Sequence, residues 1–328
     1  MTRAPLVSIH IITYNQEALV DETLESALLQ RYTPLEIVVA DDGSKDRTLE
    51  ILEGYQRRNP DRVRVMGGDN LGITGNSNRA LTACKGELIA FQGGDDLLLP
   101  GKIQAQVDWM QGDARRVLCG HDVEHFSSES GSKLTLQSEL TRLRCGVGPA
   151  DFIKHGSPFA ATSVMVRRSA IPRYGFDERL FSVSDGKLWI DCLMAGGHYG
   201  YVNGVYARYR RHAASVTRAD KPAVLAEEFQ VLDLVETEHP ELAETCRRGR
   251  ARLHRREGIG ALMSDNVEHA RRELYRSLKL APTASAKAPI WLGLSYIPIQ
   301  ARRELSRALR GVGSLRSRLL HRRERARG

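Results

Sequence analysis

Gly86-Glu87-Leu88-Ile89-Ala90-Phe91-Gln92-Gly93-Gly94-Asp95-Asp96 runs an apolar segment straight into two adjacent carboxylates, with a glycine pair at the junction. The run Leu88–Phe91 is too short for an independent helix and reads as a central strand, and Gly93 and Gly94 allow a tight turn after it. Asp95 and Asp96 then stand at the carboxyl end of that strand. Neighbouring carboxylates repel, and a divalent cation such as Mg2+ or Mn2+ bridging to a phosphate relieves the repulsion. The competing reading is an Asp-Asp turn ahead of a helix that Pro100 helps to start.

Two earlier segments have the same form. Leu6 to Ile12 is a short apolar run ending in Thr13-Tyr14-Asn15, and Leu35 to Ala40 ends in Asp41-Asp42-Gly43-Ser44. Each is followed by a stretch of helical period, with Leu24 and Leu28 on the inner face of the first and Leu52 and Tyr55 on that of the second. This βαβα order predicts a parallel sheet in an α/β fold. Such sheets bind ligands in the crevice at the carboxyl ends of their strands, where Tyr14, Asp42 and Asp95 are expected to converge.

In order and spacing, Val7 to Asn15, Val38 to Ser44 and Gly86 to Phe91 with Asp95-Asp96 resemble the nucleotide-sugar half of family 2 glycosyltransferases, across about 100 residues. The resemblance implies a GT-A fold: a mixed, Rossmann-like central sheet flanked by helices, here with a C-terminal helical extension. It implies that Tyr14 and Asp42 hold the nucleotide base, that Asp95 binds Mn2+ or Mg2+ on the sugar-nucleotide diphosphate, and that Asp96 lies beside it in the substrate site. One departure is plain. The family's Asp-x-Asp motif has Gly93 in place of its first Asp, which keeps open a catalytically inactive homologue acting as scaffold of a membrane polysaccharide complex.

Further along, Ser163 to Ser169 reads as a strand, and Gly175 to Trp189 resembles the family's acceptor-side segment. Its usual Glu-Asp pair is Ser184-Asp185 here, and Asp185 matches the general base of inverting members. An acceptor hydroxyl attacks the anomeric carbon poorly unless its proton is removed as the bond forms. Asp185 also suits the amino end of a helix carrying Leu188, Trp189 and Leu193, and the two roles are compatible. The stretch Tyr206 to Thr217 resembles the family's closing Arg-x-His segment, which implies His212 at the metal and Arg210 at the diphosphate. Neutral imidazole ligates divalent metals and Arg forks match phosphate oxygens.

The chain has 328 residues and 41% hydrophobic content, enough for a large α/β domain with an appendage. Five cysteines (Cys84, Cys119, Cys145, Cys192, Cys246) form no Cys-x-x-Cys pair, which predicts a reducing compartment; with no hydrophobic leader after Met1, the expected location is cytoplasmic. The net charge is +8, and residues 301–328 hold ten Arg and two Glu, so the tail accounts for all of it. The balanced remainder argues against a nucleic-acid-binding protein. Ala288 to Ile299 is apolar but far short of the ~20 residues that span a bilayer. With the Arg-rich tail and its Leu305, Leu309, Leu315 and Leu319, it predicts peripheral docking on the anionic inner leaflet. The competing readings are a solubilising tail, or Trp291 and Tyr296 packed on the catalytic domain.

The expected organisation is a catalytic domain over 1–217, divided into a nucleotide-sugar half (1–100) and an acceptor half (101–217), followed by a helical extension over 218–328. Ala223 to Val235 and Ala270 to Leu280 have helical period, and Ser- and Gly-rich residues 127–150 predict a mobile segment by the acceptor site. The expected activity is inverting transfer from a nucleotide-diphosphate sugar, UDP by default, to a hydroxyl of a saccharide or lipid-linked saccharide in surface polysaccharide synthesis.

Overall fold

A computed structural model describes residues 3–212, 221–282 and 288–297. The chain divides into two compact units, Met1–Phe152 with Ser157–Glu227 and Ile153–Gly156 with Glu228–Gly328. The expected boundary at 217/218 falls outside the described residues.

The first unit is built on one mixed sheet. Strands β1 (Val7–Thr13), β2 (Leu35–Asp41), β3 (Val63–Met66) and β4 (Leu88–Gly93) are parallel in the order β3-β2-β1-β4. The order continues through β9 (Met165–Arg167), β6 (Arg116–Ser127), β10 (His198–Arg211) and the two-residue β5 (Leu97–Leu98), with β9 antiparallel to both β4 and β6. The chain winds from β1 outward to β3, then returns to place β4 on the other side of β1. That reversal between β1 and β4 opens the crevice in which such sheets bind ligands.

β1 is buried on both faces, as a central parallel strand must be. Val7, Ile9 and Ile11 join Leu24 and Ala27 of helix α1 (Val20–Leu28), Leu52 and Tyr55 of α2 (Thr48–Arg58), and Ile103, Val107 and Met110 of α4 (Lys102–Gln111) in one core. Each such fully buried aliphatic side chain stabilises the fold by about 1.5–3 kcal/mol. The opposite face carries Ser8 and His10. His10 Nε2 bonds the carbonyl of Ser77 on α3 (Gly72–Ala83) at 2.9 Å, and its ring packs against Phe91 and Phe176. Trp189 of α7 (Ser184–Leu193) meets Phe91 edge-on at 4.9 Å, which seats α7 on β4.

The Ser- and Gly-rich stretch after β6 contains regular structure. Lys133–Leu136 (β7) folds back antiparallel on β6, with Gly131 at φ 65° in the turn between them, and a short helix α5 (Gln137–Leu140) follows. Ser163 to Ser169, expected as one strand, gives only the three residues of β9 between two single-turn 3-10 helices. Between α5 and β9 lie the short β8 (Gly146–Val147) and α6 (Ala150–His155).

The second unit is helical. It takes the later turns of α8 (Lys221–Glu238) with α9 (Ala243–Met263), α10 (Val267–Leu280) and α11 (Ala288–Leu294). The sequence reading expects helices within α8 and α10 but none at α9, which is rich in arginine and carries three glycines. Two of its glycines sit at close approaches: a Cβ on Gly258 would lie 2.8 Å from Leu274 Cγ, and one on Gly249 2.7 Å from the Ile153 carbonyl. Trp291 is only 9% exposed and packs with Leu262, Ala270, Leu274, Ala288 and Leu294. It is therefore a core residue of the helical unit. Tyr296 is exposed, with the Arg271 guanidinium 3.8 Å over its ring. The Arg-rich tail lies outside the described residues, and among the described residues no helix is long and apolar enough to cross a membrane.

Candidate functional site

Sheet register levels the strand ends that sequence order suggested would meet. Thr13 pairs with Asp41 across β1 and β2, and Ile12 with Gly93 across β1 and β4. Tyr14, Asp42 and Asp95 therefore leave the sheet along one edge. The first two loops are knitted together: Asn15, at φ 51°, accepts the Lys45 N–H on its side chain at 2.8 Å, and its own N–H donates to Ser44 Oγ at 2.8 Å. Tyr14 between them is left 47% exposed.

The two carboxylates after β2 have different work. Asp41 is saturated locally, accepting from Thr13 Oγ1 (3.3 Å), Ser44 Oγ (2.5 Å) and Ser44 N–H (2.9 Å). Asp42 accepts the Leu71 N–H on one oxygen at 2.7 Å, and Asn70 Nδ2 donates to its carbonyl at 2.9 Å. This draws the amino end of α3 against the β2 loop, and among the described residues the second Asp42 oxygen has no hydrogen-bond donor.

After β4, the acidic pair divides in the same way. Asp95 Oδ2 lies 2.7 Å from His212 Nε2, both side chains being about one-fifth to one-quarter exposed. Asp96 is buried and accepts the Arg210 backbone N–H at 2.9 Å. Burial, and then the Asp95 charge, push the Asp96 carboxyl well above the usual carboxylate range, against the pull of the Arg210 N–H. The Arg210 guanidinium, expected to face the diphosphate, is folded inward instead: Nε donates to the Asp95 carbonyl at 2.8 Å and a terminal nitrogen to Glu22 Oε2 at 2.6 Å, with the Phe126 ring 4.8 Å away. Gly93, the departure from the family motif, is tightly confined. A Cβ there would come 2.9 Å from Asp95 Oδ1 and 3.1 Å from Asp96 Oδ2.

Asp185 stands in the first turn of α7. Burial raises its carboxyl, partly offset by the Gly186 N–H that donates to it at 2.7 Å. The Ser184 hydroxyl lies within hydrogen-bond distance of Thr74 Oγ1 of α3, at 2.9 Å. α3 thus touches Asp42 through Leu71 and the Asp185 segment through Thr74.

A carboxylate oxygen and an imidazole nitrogen side by side suit Mn2+ or Mg2+, which commonly take one or two protein ligands and fill the rest with phosphate oxygens and water. Among the described residues no three His, Cys, Asp or Glu side chains converge on one point. Asp95 and His212 are two such groups in direct contact, at 2.7 Å. Sequence reasoning missed Glu22, Thr74 and Glu227, because each acts through a contact 45 or more residues away in the chain that no local pattern encodes.

A family model described as Glycosyl transferase family 2 matches residues 8–175. The chain is 40% identical over 113 residues to a chondroitin synthase of Escherichia coli, covering 34% of this chain and only 16% of that protein. It is 29% identical over 194 residues to the putative glycosyltransferase EpsE of Bacillus subtilis (strain 168), covering 58% of this chain and 67% of that one. Among solved structures, S. aureus TarS 1-349 in complex with UDP-GlcNAc superposes with a TM-score of 0.62 at 17% identity, covering 92% of each chain. The mannosyltransferase PcManGT from Pyrobaculum calidifontis, in complex with GDP-Man and Mn2+, gives 0.60 at 19% identity, covering 96% of this chain and 88% of that one. At these identities the structures establish a shared fold.

Proposed function

The chain belongs to glycosyl transferase family 2, and from that premise we propose that it moves a sugar, with inversion, from a nucleotide-diphosphate donor to a hydroxyl of a saccharide or lipid-linked saccharide. The observation that carries the reading is the edge shared by Tyr14, Asp42 and the Asp95–His212 pair, at the point where the sheet order reverses. The chondroitin synthase relative supports a saccharide acceptor. UDP-GlcNAc and GDP-Man in the structural neighbours support a nucleotide-sugar donor, with UDP the default base.

In this reading Tyr14 covers the base and the open oxygen of Asp42 accepts a hydrogen bond from it. Asp95 and His212 would hold a divalent cation between the loop after β4 and the end of β10. When bound, the cation supplies neutralisation of the departing diphosphate. Asp96 and Arg210 brace the loop beside the donor, Asp96 by accepting the Arg210 N–H and Arg210 by tying the Asp95 carbonyl to Glu22. Asp185 accepts the acceptor hydroxyl's proton, a role its raised proton affinity suits. Residues 1–100 form the nucleotide-sugar half and 101–217 the acceptor half. The tail's ten Arg against two Glu support docking on an anionic cytoplasmic leaflet, where a lipid-linked acceptor would be met.

The test is a panel of UDP-, GDP- and dTDP-sugars with Mn2+ or EDTA, following nucleotide release and, by calorimetry, binding. One donor is expected to be turned over in a metal-dependent manner, with loss on Asp95→Ala and a fall of roughly 10²–10⁴-fold on Asp185→Asn. Failure to bind any donor would overturn the reading in favour of a silent scaffold.

A further inference from the structure

Asp185 sits on a loop-to-helix junction that has no cap of its own. Val183 occupies the N-cap position of α7 and its side chain makes no capping hydrogen bond. The exposed N–H groups of that junction point instead at a carboxylate distant in sequence. Glu227, in the second turn of α8, accepts on Oε2 from Ser182 N–H (2.7 Å), Ser182 Oγ (2.9 Å) and Val183 N–H (3.1 Å), and on Oε1 from Phe181 N–H (3.0 Å). From the other side, Thr74 Oγ1 of α3 donates to the Leu180 carbonyl at 2.6 Å. The four residues immediately before the Ser184-Asp185 turn are thus held from both sides, their donors by α8 and a carbonyl by α3.

Backbone N–H groups outside regular structure need an acceptor, and an ionised acceptor makes the stronger kind of hydrogen bond. A Glu that takes donors from three successive backbone positions does more than fill a vacancy. It fixes the path of the chain into α7, and with it where the carboxylate at the second position of the helix points. A general base needs such fixing, because misplacement by about an ångström costs up to about 10²-fold in rate. We propose that Glu227 is a positioning residue for Asp185, holding the 181–183 segment so that the base faces the acceptor hydroxyl; this rests on the reading of Asp185 as the base. The geometry also explains why no nearer residue does this work. The segment's own Ser182 hydroxyl is itself turned onto Glu227, and Ser184 is turned onto Thr74.

The experiment compares Glu227→Ala, Glu227→Gln, Asp185→Asn and the double variant Glu227→Ala/Asp185→Asn in the full chain. It follows amide hydrogen exchange across 177–190, donor affinity by calorimetry, and nucleotide release from the donor found in the panel. In Glu227→Ala, exchange at Phe181, Ser182 and Val183 is expected to rise about tenfold or more, with donor affinity within roughly threefold of wild type and turnover down about 10- to 100-fold. Glu227→Gln keeps one oxygen for Ser182 and Val183 and is expected to recover most of both. In the Asp185→Asn background, Glu227→Ala should cost almost nothing further, because two residues acting as one unit are not additive. An unchanged exchange rate, a turnover loss matched by lost donor binding, or a full additional loss in the double variant would overturn the proposal. Full turnover by Asp185→Asn would instead remove the assigned base, while the exchange measurement still judges the contact.

Discussion

Arg210 is held by three groups around the acidic turn after β4. Its guanidinium bridges the Asp95 carbonyl and Glu22 while its backbone N–H holds Asp96, and its side chain is 5% exposed. Lysine keeps the charge but not the fork, so Arg210→Lys should lose one of the two side-chain bonds. The expected outcome is a stability loss of about 1–3 kcal/mol, discounted from a fully buried pair because Glu22 is 61% exposed. Donor affinity should change little. Thermal denaturation alongside calorimetric titration separates this from a diphosphate clamp, for which affinity would collapse at nearly constant stability. Asp41 and Asp42, adjacent and chemically identical, are distinguished by their partners: Ser44 and Thr13 close on the first, and the Leu71 N–H holds one oxygen of the second.

At the level of elements, β1 carries a histidine through the middle of the sheet. Burial holds His10 down to about 4 from an ordinary 6.5, with the Ser77 carbonyl pulling the other way, and His121 on β6 is lowered to about 3 by burial and then by Lys102. A depressed histidine stays neutral in the folded chain while the unfolded chain takes up a proton. Stability from this source is therefore complete above pH 6.5 and falls as pH drops from 6.5 towards 4. Asp96 and Asp185, raised by burial, act in the opposite direction over the acid range, so the histidine contribution must be isolated by substitution. His10→Gln should lose about 2 kcal/mol less than the wild type between pH 7 and pH 5, at about 1.4 kcal/mol per unit. Denaturant unfolding at the two pH values checks it, and equal losses would show that His10 titrates normally.

Over the whole molecule, the apolar stretch near the C-terminus belongs to the helical unit. Trp291 fills its core beside Leu262 and Leu274, and removing a buried Trp side chain costs about 3–5 kcal/mol. A chain ending at Lys287 should therefore unfold its helical unit at lower temperature, whereas one ending at Ile297 should melt as the full chain does. Calorimetry distinguishes them. It follows that liposome sedimentation should compare the full chain with the Ile297 form: salt-sensitive binding lost only with the tail assigns docking to the tail, and equal binding of both removes it from that role.

The sequence by itself determined the βαβα order, the strands β1, β2 and β4 and the inner faces of α1 and α2, because short two-sided apolar runs and helical periodicity are local properties of the chain. It also determined that Tyr14, Asp42 and Asp95 would leave the sheet on one edge, since parallel strands bring their carboxyl ends together whatever lies between them. Tertiary structure alone decided which carboxylate of each pair stays open, that Arg210 turns inward, that Trp291 is core, and that Glu227 reaches the turn before Asp185. Each of those outcomes depends on a hydrogen bond or a packing contact between segments far apart in the chain, and the free energy of such a contact exists only once the fold has brought its two sides within about 3 Å.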